Sequence, residues 1–422
     1  MHWTAPVIAI ALVQIGLLMS PAQVVAQESM FEVEHDDVKL LRLTEDGGFV
    51  VGKNGSGQIP AFGAGVRLMW YASAGSIRAG VVDGAQWDVG SVGFSSTAFG
   101  ENTTASGNYS TALGIATIAG GEASTAVGRG SNATGSSSLA AGFQAKTTAP
   151  GSIALGESTT ASALASVALG YRTTASGNTS IAMGNNSSAT GPTSTAMGGA
   201  TIASAESSTA MGYGTRATAT FATAMGSQTQ ATGASATAMG QMSIAAGIGS
   251  VAMGTLANAQ GAGSFAFADR SSSSTYTAQE NQFVVRAHGG VGFNSGTNIG
   301  CDLPAGVGAW ACTSSRLAKE GFEHMDGEVV LAKLARIPIQ RWFYLGTPAA
   351  HVGPTAEDFH GAFGLGEGPT TITTVDADGI ALLGVQTLER RTAELRAELA
   401  ALRAELAAFR SEMTAGEPVP IR

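Results

Sequence analysis

The two cysteines of the chain, Cys301 and Cys312, are the residues whose type and spacing most directly suggest chemistry. In an exported chain, an even pair of this kind indicates a disulfide. Two cysteines without a neighbouring histidine are too few ligands for a zinc site, and the Cys-x-x-Cys spacing of thiol redox catalysts is absent. We therefore predict a disulfide that closes a short loop and contributes about 3 kcal/mol to stability, and we predict no metal site.

No other group of side chains indicates an enzyme that acts on an external substrate. The sequence shows no nucleophile–base–acid triad, no phosphate-binding loop and no pair of glycosidase carboxylates. The net charge of −9 argues against a nucleic-acid partner, because phosphate binding needs basic patches. Only 13% of the 422 residues are charged and 58 are glycine, which favours a fibrous, repetitive body. We expect no cofactor.

A fourteen-residue repeat organises residues 91–270. Glycine recurs at this interval from Gly100 to Gly254, with an alanine two residues before each glycine and, in most units, a serine two residues before the alanine. Each unit divides into two halves of seven residues. Both halves alternate with period two, which is typical of strands, and turn residues (glycine or asparagine) stand at the joints. The repeat therefore predicts a mainly β fold in which each unit forms one coil of a parallel β-solenoid.

The alternation also predicts which side chains point inward. The Ser/Thr, Ala and Gly positions share one face and should fill a narrow interior. The other face carries branched residues and methionines in the first half, such as Ile181, Met183 and Met253, and polar residues such as Thr174 in the second half. Coils stacked about 4.8 Å apart would align the apolar residues in a long stripe. Because such stripes are rare on monomers, we predict self-association; a monomer with loosely packed methionines and a soft-metal site are the alternatives.

The Ser-x-Ala-x-Gly units resemble the head of trimeric autotransporter adhesins of the YadA type. The resemblance covers residues 91–270, where twelve consecutive units keep their register. It implies a left-handed parallel β-roll and a homotrimer, whereas the spacing alone implies only association. A host-surface or glycan ligand is the class of partner that such a head would bind.

The regions that flank the repeats are shorter and less regular. Residues 1–26 have the apolar run and small residues of a cleaved signal peptide, with an uncleaved anchor as the alternative. Residues 27–90 are predicted to form a β-rich cap over the first coil, in which Trp70, Tyr71 and Trp87 would pack or contact a ligand. Residues 271–312 are predicted to be a β connector that contains the cysteine pair. No integral membrane anchor is expected.

The composition changes at Thr313, where a third region begins. Residues 317–334 have a helical pattern and residues 337–344 are strand-like. The runs 314–320, 351–359 and 376–382 resemble, in order, the endosialidase-type intramolecular chaperone domain of phage tail spikes and tail fibres. The resemblance assigns residues 313–385 to a C-terminal α+β domain that trimerises first and brings three β-structured chains into register.

The same resemblance implies a self-cleavage pair, Ser314 and Lys319. The serine hydroxyl would attack the peptide bond on its own N-terminal side, with a neutral lysine as the base. Cleaving members commonly have aspartate after the serine, whereas this chain has Ser315. The alternative is that Ser314 or Ser315 caps a helix and that Lys319 is solvated. His351 and His360 fall within the domain and are interpreted as structural.

Residues 386–413 are predicted to form a coiled coil, followed by a tail at 414–422. Apolar residues alternate at steps of three and four, which is a heptad seam: Val385, Leu388, Thr392, Leu395, Leu399, Leu402, Leu406, Phe409 and Met413. The alternative is an amphipathic helix packed on its own domain. The sequence as a whole predicts a secreted or cell-surface, homotrimeric, adhesin-like structural protein. The alternative is a phage-type tail fibre with a self-cleaving peptidase domain.

Overall fold

A computed structural model describes residues 29–35, 38–44, 49–51, 62–271, 276–297 and 299–415. They form two compact units. The first contains the described residues up to 293 together with 302–311, and the second contains 294–301 and the residues from 312 onwards. The predicted signal peptide, residues 1–26, lies outside the described residues, as do residues 416–422 of the predicted tail.

Residues 97–286 of the first unit form a parallel β-solenoid, here called the roll. Each coil has one long strand of about five residues and one short strand of two or three. The long strands stack in one sheet and the short strands in a second, 13-stranded sheet. Ala182, for example, pairs with Ala168 in the preceding coil and with Ala196 in the next. The mainly β solenoid predicted from the fourteen-residue repeat is thereby confirmed.

The strands of the roll follow the repeat until its last coil. The long strands are Thr97–Glu101, Thr111–Ile115, Thr125–Arg129, Leu139–Phe143, Ile153–Glu157, Val167–Tyr171, Ile181–Asn185, Thr195–Gly199, Thr209–Tyr213, Thr223–Ser227, Thr237–Gln241, Val251–Thr255, Phe265–Ala268 and Phe283–Arg286. The short strands are Thr104–Ala105, Ile118–Ala119, Asn132–Ala133, Lys146–Thr147, Thr160–Ala161, Thr174–Ala175, Ser188–Ala189, Ile202–Ala203, Arg216–Ala217, Gln230–Ala231, Ile244–Ala245, Ala257–Ala259 and Tyr276–Ala278.

The interior of the roll is filled by alanine, serine and threonine side chains. Ala182 and Ala252 are fully buried, whereas Met183 and Met253 point outward and are half-buried. Some interior hydroxyls donate to nearby carbonyls: Ser124 Oγ donates to the Gly121 carbonyl at 2.7 Å and Ser187 Oγ donates to the Gly198 carbonyl at 2.9 Å. Others, such as those of Ser180 and Ser250, are buried without a hydrogen-bond partner among the described residues. Serine therefore recurs because it is small enough for the interior and can hydrogen-bond a backbone group there. The predicted inward and outward faces are confirmed for these residue types.

The prediction that the glycines also fill the interior is confirmed for the second half of the unit, where Gly177 and Gly191 are buried, and is wrong for the first half. Gly184 is exposed, with a φ of +109°. A Cβ atom added there would lie 2.1 Å from the backbone oxygen of Gly198. The glycine is needed because successive backbones approach closely at the end of each long strand.

The corners of the coils differ from the expectation that glycine or asparagine would occupy them. Each coil turns at two residues in the left-handed conformation, one after the long strand and one after the short strand. Glycine or asparagine stands at some corners, but Thr179, Phe221 and Leu256 adopt φ values of 54°, 59° and 58°. The fixed strand register holds these residues in a conformation that costs about 1–2 kcal/mol each.

The N-terminal strands form a separate small sheet and an extension of the long-strand sheet. Ser29–His35, Val38–Thr44 and Phe49–Val51 form a three-stranded sheet. Gly65–Tyr71 pairs antiparallel with Ser76–Val82, which pairs parallel with the first long strand of the roll. Short 3₁₀ turns occupy Ala72–Ala74 and Val89–Ser91.

A buried arginine occupies the inward position of strand Ser76–Val82. Arg78 lies opposite Ala98, and its guanidinium donates to the carbonyls of Ser96 at 2.8 Å and Ala105 at 3.0 Å. Burial lowers the pKa of Arg78 to about 10, so the group stays protonated at neutral pH. Trp87 is also fully buried and donates from Nε1 to the Thr103 carbonyl at 2.8 Å. The larger side chains excluded from the roll interior thus fill its N-terminal end.

The remaining elements lie between residues 290 and 415. Strands Gly290–Gly296, Ile299–Pro304 and Ala311–Cys312 form a small sheet, and a 3₁₀ turn spans Arg316–Ala318. Helix α1 is Gly327–Leu334, helix α2 is Ala356–Phe363 and helix α3 is Thr374–Ala415, with the strands Gln340–Phe343 and Ala350–Gly353 paired between α1 and α2. The three helices share a core of Val330, Phe359 and Ile380.

The helix predicted over 317–334 is wrong in its first half. Gly321 has a φ of +68°, which interrupts any helix that started at Leu317. Asp326 Oδ1 accepts from the backbone N–H of Glu328 at 2.8 Å, so α1 begins at Gly327 behind an aspartate cap.

Two alanine substitutions test the close approach of the coils. Gly184→Ala should lower the free energy of unfolding by roughly 3–5 kcal/mol, because its Cβ would clash with backbone. Gly249→Ala is the matched control. Gly249 has a φ of +63° and no atom within 4 Å of an added Cβ, and Ala165 occupies the same corner six coils earlier with a φ of +51°. Gly249→Ala should lower the free energy of unfolding by only about 1 kcal/mol. Denaturant titration of the full chain would measure both, and equal losses would contradict the interpretation.

Candidate functional site

The outward side of the long strands, here called the outer face, is an apolar surface of the roll. Two outward positions of each long strand contribute to it, and the second is methionine in six consecutive coils: Met183, Met197, Met211, Met225, Met239 and Met253. These side chains are half-buried only because the neighbours above and below cover them. Because one methionine follows another about every 4.8 Å, the outer face is a continuous apolar strip of the kind that marks an association surface.

A second apolar surface runs along helix α3. Thr373 caps the helix, because its Oγ1 accepts from the Asp376 N–H at 3.1 Å, so α3 begins before the predicted start at 386. Its first turns pack on α1 and α2 through Ile380 and Leu383.

Beyond these turns the heptad seam, defined above as Val385 to Met413, is largely uncovered by its own chain. Leu395 is 64% exposed and Phe409 is 59% exposed. The alternative of an amphipathic helix packed on its own domain is therefore wrong for this stretch.

An ion-pair cluster joins α1 to α3 at the start of the seam. Arg390 donates to Glu328 Oε1 at 2.8 Å, and Arg391 pairs with the other oxygen, Glu328 Oε2. The hydrogen bonds from Arg391 and Arg390 lower the pKa of the Glu328 carboxyl. The cluster connects the first turn of α1 to α3 beside the helical core.

The structure brings the predicted cleavage pair together. Lys319 Nζ donates to Ser314 Oγ at 2.7 Å, and both side chains are exposed. Ser315, by contrast, accepts from the Leu317 N–H and caps the 3₁₀ turn. The turn reverses the chain over residues 315–319, which is why two side chains five positions apart can meet. A cleft of about 540 Å³, lined among others by Thr313 and Lys319, opens beside the pair.

The two cysteines lie on adjacent strands that hold them together. Cys301 and Cys312 form a disulfide with an Sγ–Sγ distance of 1.99 Å. Strand pairing continues just beyond it, where the Thr313 N–H donates to the Gly300 carbonyl at 2.9 Å. Ser314 therefore follows directly after a covalently closed loop, which restrains the backbone on its N-terminal side.

Two of the three histidines that follow Thr313, His351 and His360, have structural contacts. His351 stacks on the Trp342 ring with centroids 4.8 Å apart, and His360 Nδ1 lies 2.8 Å from the Leu365 carbonyl oxygen. Among the described residues there is no group of three or more metal-ligating side chains. In that same part of the chain, none of the helices combines the length and hydropathy needed to span a bilayer.

A polar joint that the repeat pattern does not predict lies at the end of the roll. Asp269 accepts hydrogen bonds from the Ser271 hydroxyl and from the His288 N–H, both at 2.5 Å, and the first of these is the larger cause that lowers the pKa of Asp269 to about 2. Phe265 here pairs with Phe283, eighteen residues later instead of fourteen. The joint fastens the two ends of the longer last coil. The end of the fourteen-residue repeat at Asp269 was the sequence signal that could have indicated this joint.

Comparison with protein families identifies the repeats of the roll. The YadA head domain repeat matches residues 91–116, 119–145, 133–157, 148–173, 161–187, 175–201, 189–215, 217–243 and 245–267. All of these ranges lie in the roll or immediately before its first strand, and they support an adhesin-like head. A search of curated proteins found no matching relative. The resemblance of residues 313–385 to the intramolecular chaperone domain stays a prediction.

The ion-pair cluster predicts a pH dependence for the helical core. The pKa of Glu328 is lower in the folded state than in the unfolded state. Its ion pairs therefore stabilise the fold fully at pH values above the unfolded-state pKa of about 4.3. This stabilisation is lost as the pH falls through the folded-state pKa. Glu328→Gln should therefore flatten the fall in thermal midpoint between about pH 5 and pH 3. The effect should be small and should shrink in high salt, since the groups are exposed.

Circular dichroism at 222 nm would report this transition, because the α-helices lie in the C-terminal unit. Glu367→Gln is the control, since the Glu367 side chain has no ion pair among the described residues. If Glu367→Gln flattened the profile as much as Glu328→Gln, the cluster would not be the cause.

Proposed function

We propose that this chain forms an exported homotrimeric fibre with an adhesin-like head, assembled by its C-terminal region. The single observation that carries the proposal is that two separate apolar surfaces of one chain, the outer face and the heptad seam, lack a cover within that chain. A trimer of parallel chains covers both at once. The match of the roll to YadA head repeats supports three chains, because YadA-type heads are trimeric.

The C-terminal region acts in this proposal as an intramolecular chaperone. Every coil of the roll resembles the next, so three rolls side by side have no internal signal against a shift by one whole coil. Bringing three separate chains together also carries a loop-closure and encounter cost that slows assembly. A coiled coil formed by α3 sets the register at one end, and the rolls then pair coil by coil from there.

Light scattering of the full chain tests the proposal. The wild-type protein should have three times the mass of one chain. Leu399→Asp places a charge in the heptad seam and should shift the mass towards one chain. Ala397→Asp places the same residue on the opposite side of α3 and should leave the trimer intact, which controls for the helix propensity of aspartate. A single-chain mass for the wild-type protein would refute the proposal.

The 2.7 Å contact between Lys319 and Ser314 favours a second candidate function, self-cleavage. Ser314 Oγ would attack the carbonyl carbon of Thr313, and the peptide nitrogen of Ser314 would leave as an amine. Water would then hydrolyse the ester between Thr313 and the Ser314 side chain. For Lys319 to accept the hydroxyl proton it must be neutral, which requires desolvation or a nearby cation. In the single chain Lys319 is exposed, so the pair would become active only after another surface covers it.

Mass spectrometry of the purified protein distinguishes cleaved from intact chains. Cleavage should give one fragment that ends at Thr313 and one that begins at Ser314. Ser314→Ala and Lys319→Arg should abolish both fragments, because each removes one member of the pair. Ser315→Ala should still be cleaved, since Ser315 only caps the 3₁₀ turn. Fragments that persist in Ser314→Ala, or a wild-type chain that stays intact after assembly, would remove this candidate.

A further inference from the structure

The charged residues of the roll are segregated to its two corners. Between residues 96 and 268 the chain has only four cations and four anions. All four cations lie on one edge, at the end of the long strand, at the corner that follows it or on the outward side of the adjoining short strand: Arg129, Lys146, Arg172 and Arg216. Two of the four acids, Glu101 and Glu157, also end long strands on this edge, whereas the opposite corner carries Glu122 and Glu206 and no cation. We call the cation-bearing corner, with the adjoining short-strand residues, the basic edge.

The cations of the basic edge are exposed and have no ion pair within the described residues. Two of them lie over aromatic rings of the same edge. The Arg129 guanidinium is 5.7 Å from the Phe143 ring centroid, and that of Arg172 is 4.9 Å from the Tyr171 ring. Such contacts orient a guanidinium without neutralising its charge. The chain as a whole is acidic, so this edge is a local exception that would attract an anion.

A shallow groove of about 560 Å³ extends the basic edge towards the end of the roll. Tyr213, which is 64% exposed, and Arg216 line it together with Gln228 and Gln230. The two amide side chains form no hydrogen bond within the described part of the chain. Glycine and alanine at two corners, Gly214 and Ala200, leave room beside the tyrosine ring. The groove therefore offers an aromatic face, a cation and unused amide groups in one place.

The spacing of these groups fits an extended ligand of moderate charge. From Arg129 to Arg216 the edge covers six coil steps, or roughly 29 Å at about 4.8 Å per coil. Four cations over this length, interrupted by Glu157, are too sparse for duplex nucleic acid, which carries one charge per about 1.7 Å. An acidic peptide would satisfy the cations but leave the aromatic faces unused. A sugar ring presents C–H groups that stack on aromatic faces and hydroxyls that bond amides.

We propose that the basic edge binds a linear acidic polysaccharide that lies along the roll, with its acidic groups on the cations and a sugar ring on Tyr213. The proposal rests on the proposed function in that the roll must be presented outside the cell. It does not depend on the number of chains.

Binding of the full chain to heparin, with hyaluronan as a second acidic polysaccharide and dextran as a neutral one, tests the proposal. Arg172→Gln should weaken heparin binding about threefold in low salt, and Arg129→Gln, Arg172→Gln and Arg216→Gln combined should weaken it more than tenfold. Arg336→Gln, which removes one exposed charge of the C-terminal unit, is the matched control and should bind as the wild type does. A loss in Arg336→Gln equal to that in Arg172→Gln, or unchanged binding by the triple variant, would overturn the proposal.

Tyr213→Ala separates sugar recognition from simple attraction to an anion. It should weaken heparin binding and leave any binding of poly-glutamate unchanged. Equal binding of poly-glutamate and heparin by both proteins would refute a polysaccharide site. The same samples should be weighed by light scattering. If the wild-type protein has the mass of one chain but its heparin binding still depends on these residues, the trimer is refuted and the binding site is kept. If Arg172→Gln instead loses the trimer, the basic edge is an interface between chains and the binding site is refuted.

Discussion

The narrow interior of the roll is the constraint on which the rest of the structure depends. Successive coils approach so closely at the end of each long strand that a methyl group on Gly184 would reach the next backbone. Inside the coil the side chains are mostly alanine, serine and threonine, which bury little apolar area. With a gain of about 25 cal/mol per Å² of buried apolar surface, such a core stabilises each coil weakly. The regular hydrogen bonds between coils must therefore supply much of the cohesion.

The apolar residues that the interior excludes appear on the outside. The outer face carries methionine and branched side chains because the alternation of the strand leaves them no other place. Helix α3 has a comparable arrangement, since its seam continues for several turns beyond the core formed by Val330 and Phe359. The association of chains that we propose would cover both surfaces. A coiled coil of α3 would also set the register, which the repeated coils of the roll do not specify. Buried Arg78 and Trp87 show the same exclusion at the N-terminal end.

Much of this fold could be predicted because the same alternation of inward and outward residues recurs in twelve repeat units. The inward alanines and outward methionines follow from strand geometry alone. The left-handed corners at Phe221 and Leu256 could not be predicted, because the neighbouring coils impose that conformation against the residues' own preference. The inward position of Arg78 could not be predicted either, because alanine occupies the corresponding position in the coils of the roll and a cation is not expected there. The meeting of Ser314 with Lys319 depends on a short turn that the helical pattern of 317–334 concealed.

The equivalence of the coils has a consequence for how such a protein can change over generations. Because every coil bonds to its neighbours through the same backbone positions, a gene duplication or deletion of whole units leaves both new junctions intact. Recombination between similar repeats would thus lengthen or shorten the shaft in steps of about 4.8 Å while the ends stay unaltered. Lineages could in this way adjust the length of the roll without redesigning a single contact.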